Sequence, residues 1–228
     1  MPACKPLNQQ EIDAILENLP KRTFVRDRAL IQLGVLTGFR ISELLALRVS
    51  DVCLRGRIRD AVILGRSRMK GRRTARSVPL GPHAKEAVAA LMELLQRQNR
   101  FSPDAPLFQG QKSDGSHALS RGHGCQIIRE AASRAGLSGQ VGTHSLRKTF
   151  AQNTYRALCA RRGPDVCLDP LLAVSKALGH RCLQSTVSYL PQNNAVIEEA
   201  ILSLEKIINF DVLNNKLAPK TEQKTFKI

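Results

Sequence analysis

Two histidines, an arginine and a tyrosine lie in order between residues 143 and 190, and together they could carry out phosphoryl transfer. His144 and Arg147 are three positions apart, so on a helix both side chains can face one phosphate. His180 follows, and Tyr189 lies nine positions beyond it. This order of residue types indicates a phosphoryl-transfer site in which a tyrosine is the nucleophile.

Cleavage of a DNA phosphodiester without a metal needs four kinds of group. A nucleophile attacks phosphorus, fixed cations stabilise the non-bridging oxygens, one group accepts the nucleophile's proton, and another protonates the leaving oxygen. Arg40 and Arg147 offer planar, permanently charged guanidinium groups that suit two phosphate oxygens. The adjacent Gly38 and the apolar run that follows place Arg40 at a tight, buried junction. Glu43 lies three residues from Arg40, and Lys70 lies at the tip of a basic hairpin, where it could reach a leaving oxygen. The sequence therefore fills each role without a metal or another cofactor.

Four sequence boxes resemble those of the tyrosine recombinase (phage integrase) family and occur in the same order. The resemblance covers about residues 7 to 200, nearly the whole of that family's catalytic domain. One box alone occurs by chance, whereas four in order with the nine-residue interval are a strong signal. The boxes are Thr37-Gly38-Phe39-Arg40-Ile41-Ser42-Glu43-Leu44, Met69-Lys70-Gly71 leading to Arg76-Ser77-Val78-Pro79-Leu80, His144-Ser145-Leu146-Arg147, and Leu178-Gly179-His180 with Tyr189.

The resemblance implies catalytic roles for five basic residues of these boxes. Arg40 and Arg147 would grip the scissile phosphate and stabilise its transition state. Lys70 would be the general acid for the 5′-hydroxyl. His144 would help to deprotonate the tyrosine, and His180 would hydrogen-bond the phosphate.

The nucleophile implied by the resemblance is Tyr189, which would form a 3′-phosphotyrosyl link. Tyr155 is the other candidate nucleophile, but it lies on the predicted helix after His144 and is interpreted as a core or groove tyrosine. Glu43 would orient neighbouring catalytic groups, and a purely structural pairing of Glu43 with Arg40 stays open. By the same resemblance, the active assembly is a homotetramer on two DNA sites.

The sequence departs from the family pattern at two places. Lys148 stands where many members carry a second histidine, which replaces one flanking cation by another. Members also carry a helical core-binding domain before the catalytic domain, whereas Met1 lies a few residues before the first predicted helix. The chain is therefore either an isolated fragment or a minimal member.

The charge balance points to a polyanionic partner. The 228 residues have a formal net charge of +16 and a pI near 10.2, which suits nucleic acid or an anionic membrane. The longest apolar run, residues 29–39, is too short to span a bilayer, and no signal peptide precedes it. The six cysteines are scattered along the chain, which favours reduced thiols over disulfides. We expect double-stranded DNA as the partner, a cytoplasmic protein and no membrane contact.

Residues 55–76 form a one-sided basic tract that holds nine Lys/Arg against a single acid, Asp60. Such a tract favours contacts with the DNA backbone over a merely solvated face. Within it, Lys70 lies at the predicted turn, and Arg68 and Arg72 are alternatives for the general acid. The residues predicted to contact DNA are Arg66, Arg68, Arg72, Arg73, Arg76 and Lys148.

The spacing of apolar residues predicts a mainly helical α+β catalytic domain with a small antiparallel sheet. Asn8 and Glu11 form a capping pattern at the first helix, and Gly38 breaks the second. Helices are predicted over about 8–19, 23–36, 40–47, 82–99, 120–135, 143–158, 170–178, 183–189 and 193–208, with two or three strands within 52–80 and a loop over 101–118.

The predicted organisation is a catalytic domain over residues 1–191, followed by a C-terminal helix and tail over 192–228. That helix is amphipathic, and either docks onto a neighbouring protomer or covers its own core. The predicted function is site-specific cutting and rejoining of duplex DNA. The alternatives are a type IB topoisomerase-like relaxing enzyme and a non-catalytic DNA-binding regulator.

Overall fold

Helices make up most of the chain that the computed structural model describes, which is residues 4–64, 76–110, 115–160, 169–180 and 182–190. All of these residues belong to the first of the chain's two units, residues 1–190. In this part of the chain the helices are α1 (Gln9–Glu17), α2 (Phe24–Thr37), α3 (Ile41–Leu45), α4 (Val49–Val52), α5 (Pro82–Arg97), α6 (Arg121–Arg134), α7 (Thr143–Ala160), α8 (Pro170–Leu178) and α9 (Gln184–Val187).

The start of α1 is fixed by the predicted capping pair. The Asn8 side chain accepts a hydrogen bond from the Glu11 N–H at 2.8 Å, and the Glu11 carboxylate accepts one from the Asn8 N–H at 3.0 Å. Both bonds satisfy backbone donors at the helix start. Ile12 and Ile15 then turn one face into the core. The predicted first helix is confirmed, with its end at Glu17.

The centre of the core is α2, which packs against α5 on one side and α7 on the other. Leu30 in its middle is fully buried. A Cβ added at Gly34 would lie 2.6 Å from the Leu146 side chain, so the small residue allows α7 to approach closely. The helix ends at Gly38, whose φ of 62° is left-handed and favours glycine. This packing holds the first and third boxes side by side.

Where the structure describes the chain, four short strands form two antiparallel pairs, β1 (Cys53–Leu54) with β2 (Arg57–Ile58) and β3 (Ala61–Leu64) with β4 (Arg76–Pro79). The second pair runs in register from Ala61 opposite Pro79 to Leu64 opposite Arg76. The predicted small antiparallel sheet is confirmed, with one more strand than expected. Helix α4 was missed, because four residues are too few to show a helical period.

The remaining helices confirm the predicted order, and α8 has the predicted bounds. The tip of the basic hairpin, residues 65–75, and the predicted helix over 193–208 lie outside the described residues. In the described part of the chain, no helix is both long and apolar enough to cross a membrane.

Candidate active site

Arg147 lies at the centre of the candidate site, with its side chain 3% exposed. Its guanidinium donates to the carbonyl oxygen of Gly38 and, at 2.7 Å, to that of Leu178. Gly38 caps the end of α2 and Leu178 is the last residue of α8. Helix ends leave carbonyls without intrahelical partners and carry partial negative charge, so both are suited to a buried cation. Arg147 thus joins three of the four boxes.

Arg147 remains protonated although its guanidinium is buried. Desolvation and the positive charge of Arg40 lower its pKa to about 10, so the guanidinium stays protonated at neutral pH. Tyr189 acts in the opposite direction, because its ionised form would raise the pKa of Arg147. The guanidinium is therefore fixed and cationic, as stabilisation of a phosphoryl transition state requires.

Arg40 and Glu43 form the expected pair at the start of α3. The Glu43 carboxylate accepts hydrogen bonds from the Arg40 N–H at 2.8 Å and from the Arg40 guanidinium at 2.9 Å. Their exposure differs, however, with the side chain of Arg40 at 44% and that of Glu43 at 5%. The expectation of a buried Arg40 is therefore wrong. Arg40 precedes the first residue of α3, so its side chain reaches solvent while Glu43 turns inward.

A cavity of about 250 Å³ opens between these groups. The cavity is lined by Arg40, Arg147, His144 and Arg121, and by further residues at the starts of α3 and α7. Sequence reasoning missed Arg121, although its place in the first turn of α6 after the capping Ser120 was a usable signal. Three guanidinium groups around one opening make it a site for an anion.

His144 lies in the first turn of α7, on the rim of this cavity. Partial desolvation lowers the pKa of His144 below its ordinary value, and the charge of Arg147 lowers it further. The imidazole is therefore held toward its neutral form. That is the form in which a histidine can accept a proton from a nucleophile.

Tyr189 and His180 contact each other through their rings. The centroids are 5.3 Å apart and the planes are inclined by 83°, an edge-to-face arrangement. The Nδ1 atom of His180 is hydrogen-bonded at 2.8 Å to the hydroxyl of Thr186, which is fully buried. The ammonium of Lys148 lies 5.7 Å from the Tyr189 ring centroid. Lys148 thus faces the tyrosine, and its contact with DNA stays a prediction.

Tyr155 packs with Tyr189 against one small apolar cluster around Val174 and Leu178. A hydrogen bond with Cys159, followed by partial burial, raises the pKa of the Tyr155 phenol. A phenol that ionises less readily is a poorer nucleophile at neutral pH. The raised pKa therefore weakens the case for Tyr155 as the nucleophile.

Arg76 does not lie where a DNA contact requires. Its side chain is 8% exposed and donates to Glu43 at 3.2 Å and to the Ala177 carbonyl at 2.7 Å. The burial pattern of β4 alternates, and Arg76 shares its inner face with Val78. The expected backbone contact of Arg76 is therefore at odds with its burial. Because residues 55–76 are so basic, they were interpreted as one exposed surface. The two-residue period of strand β4, which places Arg76 on the inner face, was overlooked.

The other predicted basic residues are not placed by the structure. Lys70, the predicted general acid, and the predicted DNA contacts Arg66, Arg68, Arg72 and Arg73 lie outside the described residues. Among the residues that are described, no three His, Cys, Asp or Glu side chains group closely enough to hold a metal ion.

The sequence matches the model of the phage integrase family over residues 5–195. The tyrosine recombinase XerC of Thermodesulfovibrio yellowstonii is 31% identical over 173 residues, 74% of this chain and 51% of that protein. The XerC of a Roseiflexus species is 28% identical over 225 residues, 96% of this chain and 66% of that protein. The chain thus spans about half to two-thirds of the length of these curated relatives.

Solved structures show the same fold. The XerA recombinase superposes with a TM-score of 0.65 at 22% identity, covering 89% of this chain and 66% of that one. The XerH site-specific recombinase, bound to a palindromic difH substrate in a post-cleavage complex, gives 0.64 at 26%, covering 88% and 52%. The four boxes, the helical fold with its small sheet and the match over residues 5–195 agree, and the chain belongs to the phage integrase family.

Proposed function

We propose that this chain is the catalytic part of a site-specific DNA recombinase that cuts and rejoins duplex DNA through Tyr189. The observation that carries the proposal is the convergence of Arg40, Arg147 and His144 on one cavity. Tyr189 and His180 add to it, because Tyr189 is close enough to influence the pKa of Arg147. Cations around an opening beside a tyrosine suit attack on a phosphodiester.

In the proposed step, the phenolic oxygen of Tyr189 attacks the scissile phosphorus. The bond from phosphorus to the 5′-oxygen breaks, and a 3′-phosphotyrosyl ester forms. His144 takes up the phenolic proton, and Lys70 protonates the departing 5′-oxygen. One phosphoester replaces another, so a 5′-hydroxyl can later attack the link and reseal the strand without ATP or a metal.

The remaining residues stabilise the transition state or orient its groups. Arg40 and Arg147 hold the non-bridging oxygens, and the partly exposed Arg40 is the more accessible of the two. With Nδ1 of His180 bonded to Thr186, Nε2 is the ring nitrogen that would donate to the phosphate. Glu43 orients Arg40 through two hydrogen bonds.

The proposed partner is double-stranded DNA, bound by the basic surface that the net charge of +16 provides. The XerH structure holds a difH substrate, which supports DNA as the ligand of this fold. We further infer a homotetramer on paired sites. In it, residues 1–191 form the catalytic domain and the amphipathic segment within 192–228 docks onto a neighbouring protomer. A cytoplasmic location suits the thiols of the described cysteines, which are free.

The test is capture of the covalent intermediate. The chain is incubated with a pool of nicked duplexes whose sequence around the nick is randomised, and protein-linked DNA is isolated under denaturing conditions. Cleavage beside the nick releases a short fragment that carries the 5′-hydroxyl. Because this fragment diffuses away, it cannot attack the phosphotyrosyl link, and the adduct accumulates. We expect an adduct with the wild-type chain and with Tyr155→Phe, and none with Tyr189→Phe.

Three outcomes would contradict the proposal. An adduct that persists in Tyr189→Phe would overturn the choice of nucleophile. Binding of the pool without any adduct in the wild-type chain would favour a DNA-binding regulator. Relaxation of supercoiled plasmid with no preference among the captured sequences would favour a relaxing enzyme.

A further inference from the structure

Within the described residues, Arg76 contacts groups in two different parts of the site. One guanidinium nitrogen donates to Glu43 at 3.2 Å, and another donates to the Ala177 carbonyl at 2.7 Å. The guanidinium carbon lies 5.2 Å from the centroid of the Phe39 ring. Arg76 therefore connects the start of β4 with the box around Arg40 and with the end of α8.

The contact with Glu43 compensates the negative charge of a buried carboxylate beside the proposed phosphate site. Glu43 is 5% exposed, and a buried carboxylate without a positive partner is strongly disfavoured. Arg40 is one such partner, but Arg40 is also the exposed cation that a phosphate would engage. The ion pair with Arg76 keeps the charge of Glu43 compensated while Arg40 shares its donors with the phosphate.

The contact with Ala177 acts on the other side of the site. Ala177 and Leu178 are the last two residues of α8, and their carbonyls accept from Arg76 and Arg147 respectively. Two buried arginines thus bind consecutive carbonyls at one helix end. His180 follows two residues later, so this anchoring fixes the position of the His180 imidazole.

We propose that Arg76 is a positioning residue of this site. It holds the Glu43 carboxylate in place while Arg40 binds the scissile phosphate, and it anchors the end of α8 ahead of His180. The inference rests on the proposed function. It goes beyond the resemblance, which gives Arg76 no catalytic role.

The test replaces Arg76 by methionine, which has a similar reach and no charge. At saturating nicked duplex, we expect Arg76→Met to slow adduct formation by at least about tenfold, because misplaced catalytic groups lose rate steeply. The duplex concentration that gives half the maximal rate should change less than about threefold, because Arg76 is buried and does not bind DNA. Arg76→Lys should recover only part of the rate, since one ammonium does not reproduce the guanidinium fork.

The matched control is Arg26→Met. Arg26 is 6% exposed, pairs with Asp27 at 2.8 Å and lies outside the site, so its loss removes a comparable buried ion pair. With rates expressed per folded molecule, we expect Arg26→Met to stay within about twofold of the wild type. A rate for Arg76→Met equal to that of Arg26→Met would overturn the proposal.

A double-mutant cycle separates positioning from general damage. If Arg76 acts partly through Glu43, Arg76→Met should slow the reaction by a smaller factor in Glu43→Gln than in the wild type, because only the anchoring of α8 remains to be lost. Fully multiplicative effects would contradict this coupling.

A spectroscopic readout keeps the inference independent of catalysis. The ring resonances of His180, measured by NMR without DNA, should shift in Arg76→Met and not in Arg26→Met. Unchanged resonances would overturn the anchoring of α8. If the wild-type chain formed no adduct, the proposed function would fail, while the His180 shift would still decide whether Arg76 positions the site.

Discussion

The hydroxyl of Thr186 lies 2.8 Å from Nδ1 of His180, whose ring meets that of Tyr189 edge-on. Thr186 is fully buried in α9, the short helix that leads to Tyr189. One buried hydroxyl therefore fixes the ring orientation of His180 beside the proposed nucleophile. Such an outer contact also decides which ring nitrogen carries the proton that a phosphate would accept.

Replacement of Thr186 by valine should slow adduct formation while the protein stays folded. Valine has nearly the same shape and replaces the hydroxyl by a methyl group, so His180 loses this hydrogen bond. A typical hydrogen bond contributes about 1 kcal/mol, which corresponds to a rate loss of roughly two- to tenfold. The measurement is the single-turnover rate with nicked duplex.

Thr186→Ser serves as the matched control, because it keeps the hydroxyl and removes a methyl group. We expect its rate to lie closer to the wild type than that of Thr186→Val. The opposite order would show that packing of the methyl group, and not the hydrogen bond, supports His180.

The lowered pKa of His144 predicts how the reaction depends on pH. In the folded chain the imidazole is neutral over a wider pH range than usual, so its protonated form accumulates only below about 6.5, the ordinary histidine value. The rate of adduct formation should therefore hold at neutral pH and fall on the acid side with a midpoint below that value. His144→Gln should remove this acid limb and lower the plateau.

The same shift has a consequence for stability, and its sign follows from proton linkage. The unfolded chain binds more protons at His144 than the folded chain does, so the free energy of unfolding decreases as pH falls through the ordinary histidine pKa toward the lowered one. An NMR titration of the His144 ring measures the shift directly. A midpoint at or above the ordinary value would contradict both expectations.

The sequence predicted the helices well where local chemistry decides them. The Asn8–Glu11 capping pair set the start of α1, and Gly38 set the end of α2. The predicted bounds of α8 match the structure, in which Pro170 begins the helix and Gly179 follows its end, the positions that proline and glycine favour. Local rules were sufficient for these elements.

The direction of side chains could not be predicted as well, because it depends on tertiary packing. Arg40 was expected to be buried beside Gly38, yet its guanidinium reaches the cavity. Arg76 was expected to face DNA, yet it is buried against Glu43. In both places, the sequence gives no sign of how deeply the charged side chain is buried after folding.

Arg121 offers a test of the cavity that the sequence did not suggest. Its side chain adds a third guanidinium to the opening that Arg40 and Arg147 line. Arg121→Gln should weaken binding of intact duplex and should lower the slope of log affinity against log salt by about one, the value for one lost phosphate contact. Fluorescence anisotropy at several salt concentrations measures this slope.

Arg134→Gln is the control for Arg121, because it removes the same charge from the other end of the same helix. Arg134 is half-exposed and pairs with Glu130 at 3.2 Å. We expect its salt slope to match the wild type. Equal slopes for the two variants would mean that net charge, and not the cavity, determines binding.

Gly38→Ala should destabilise the fold and weaken the site together. The left-handed φ of 62° costs an alanine about 1–2 kcal/mol. The added Cβ would also collide with the Phe150 ring, which must move. Because the Gly38 carbonyl accepts from Arg147, the displacement should reach the guanidinium as well. Urea unfolding and the rate of adduct formation measure the two effects. Gly81→Ala, where a Cβ meets open space and φ is not left-handed, should leave the rate unchanged and lower the free energy of unfolding much less, and equal results for the two alanines would contradict the role of Gly38.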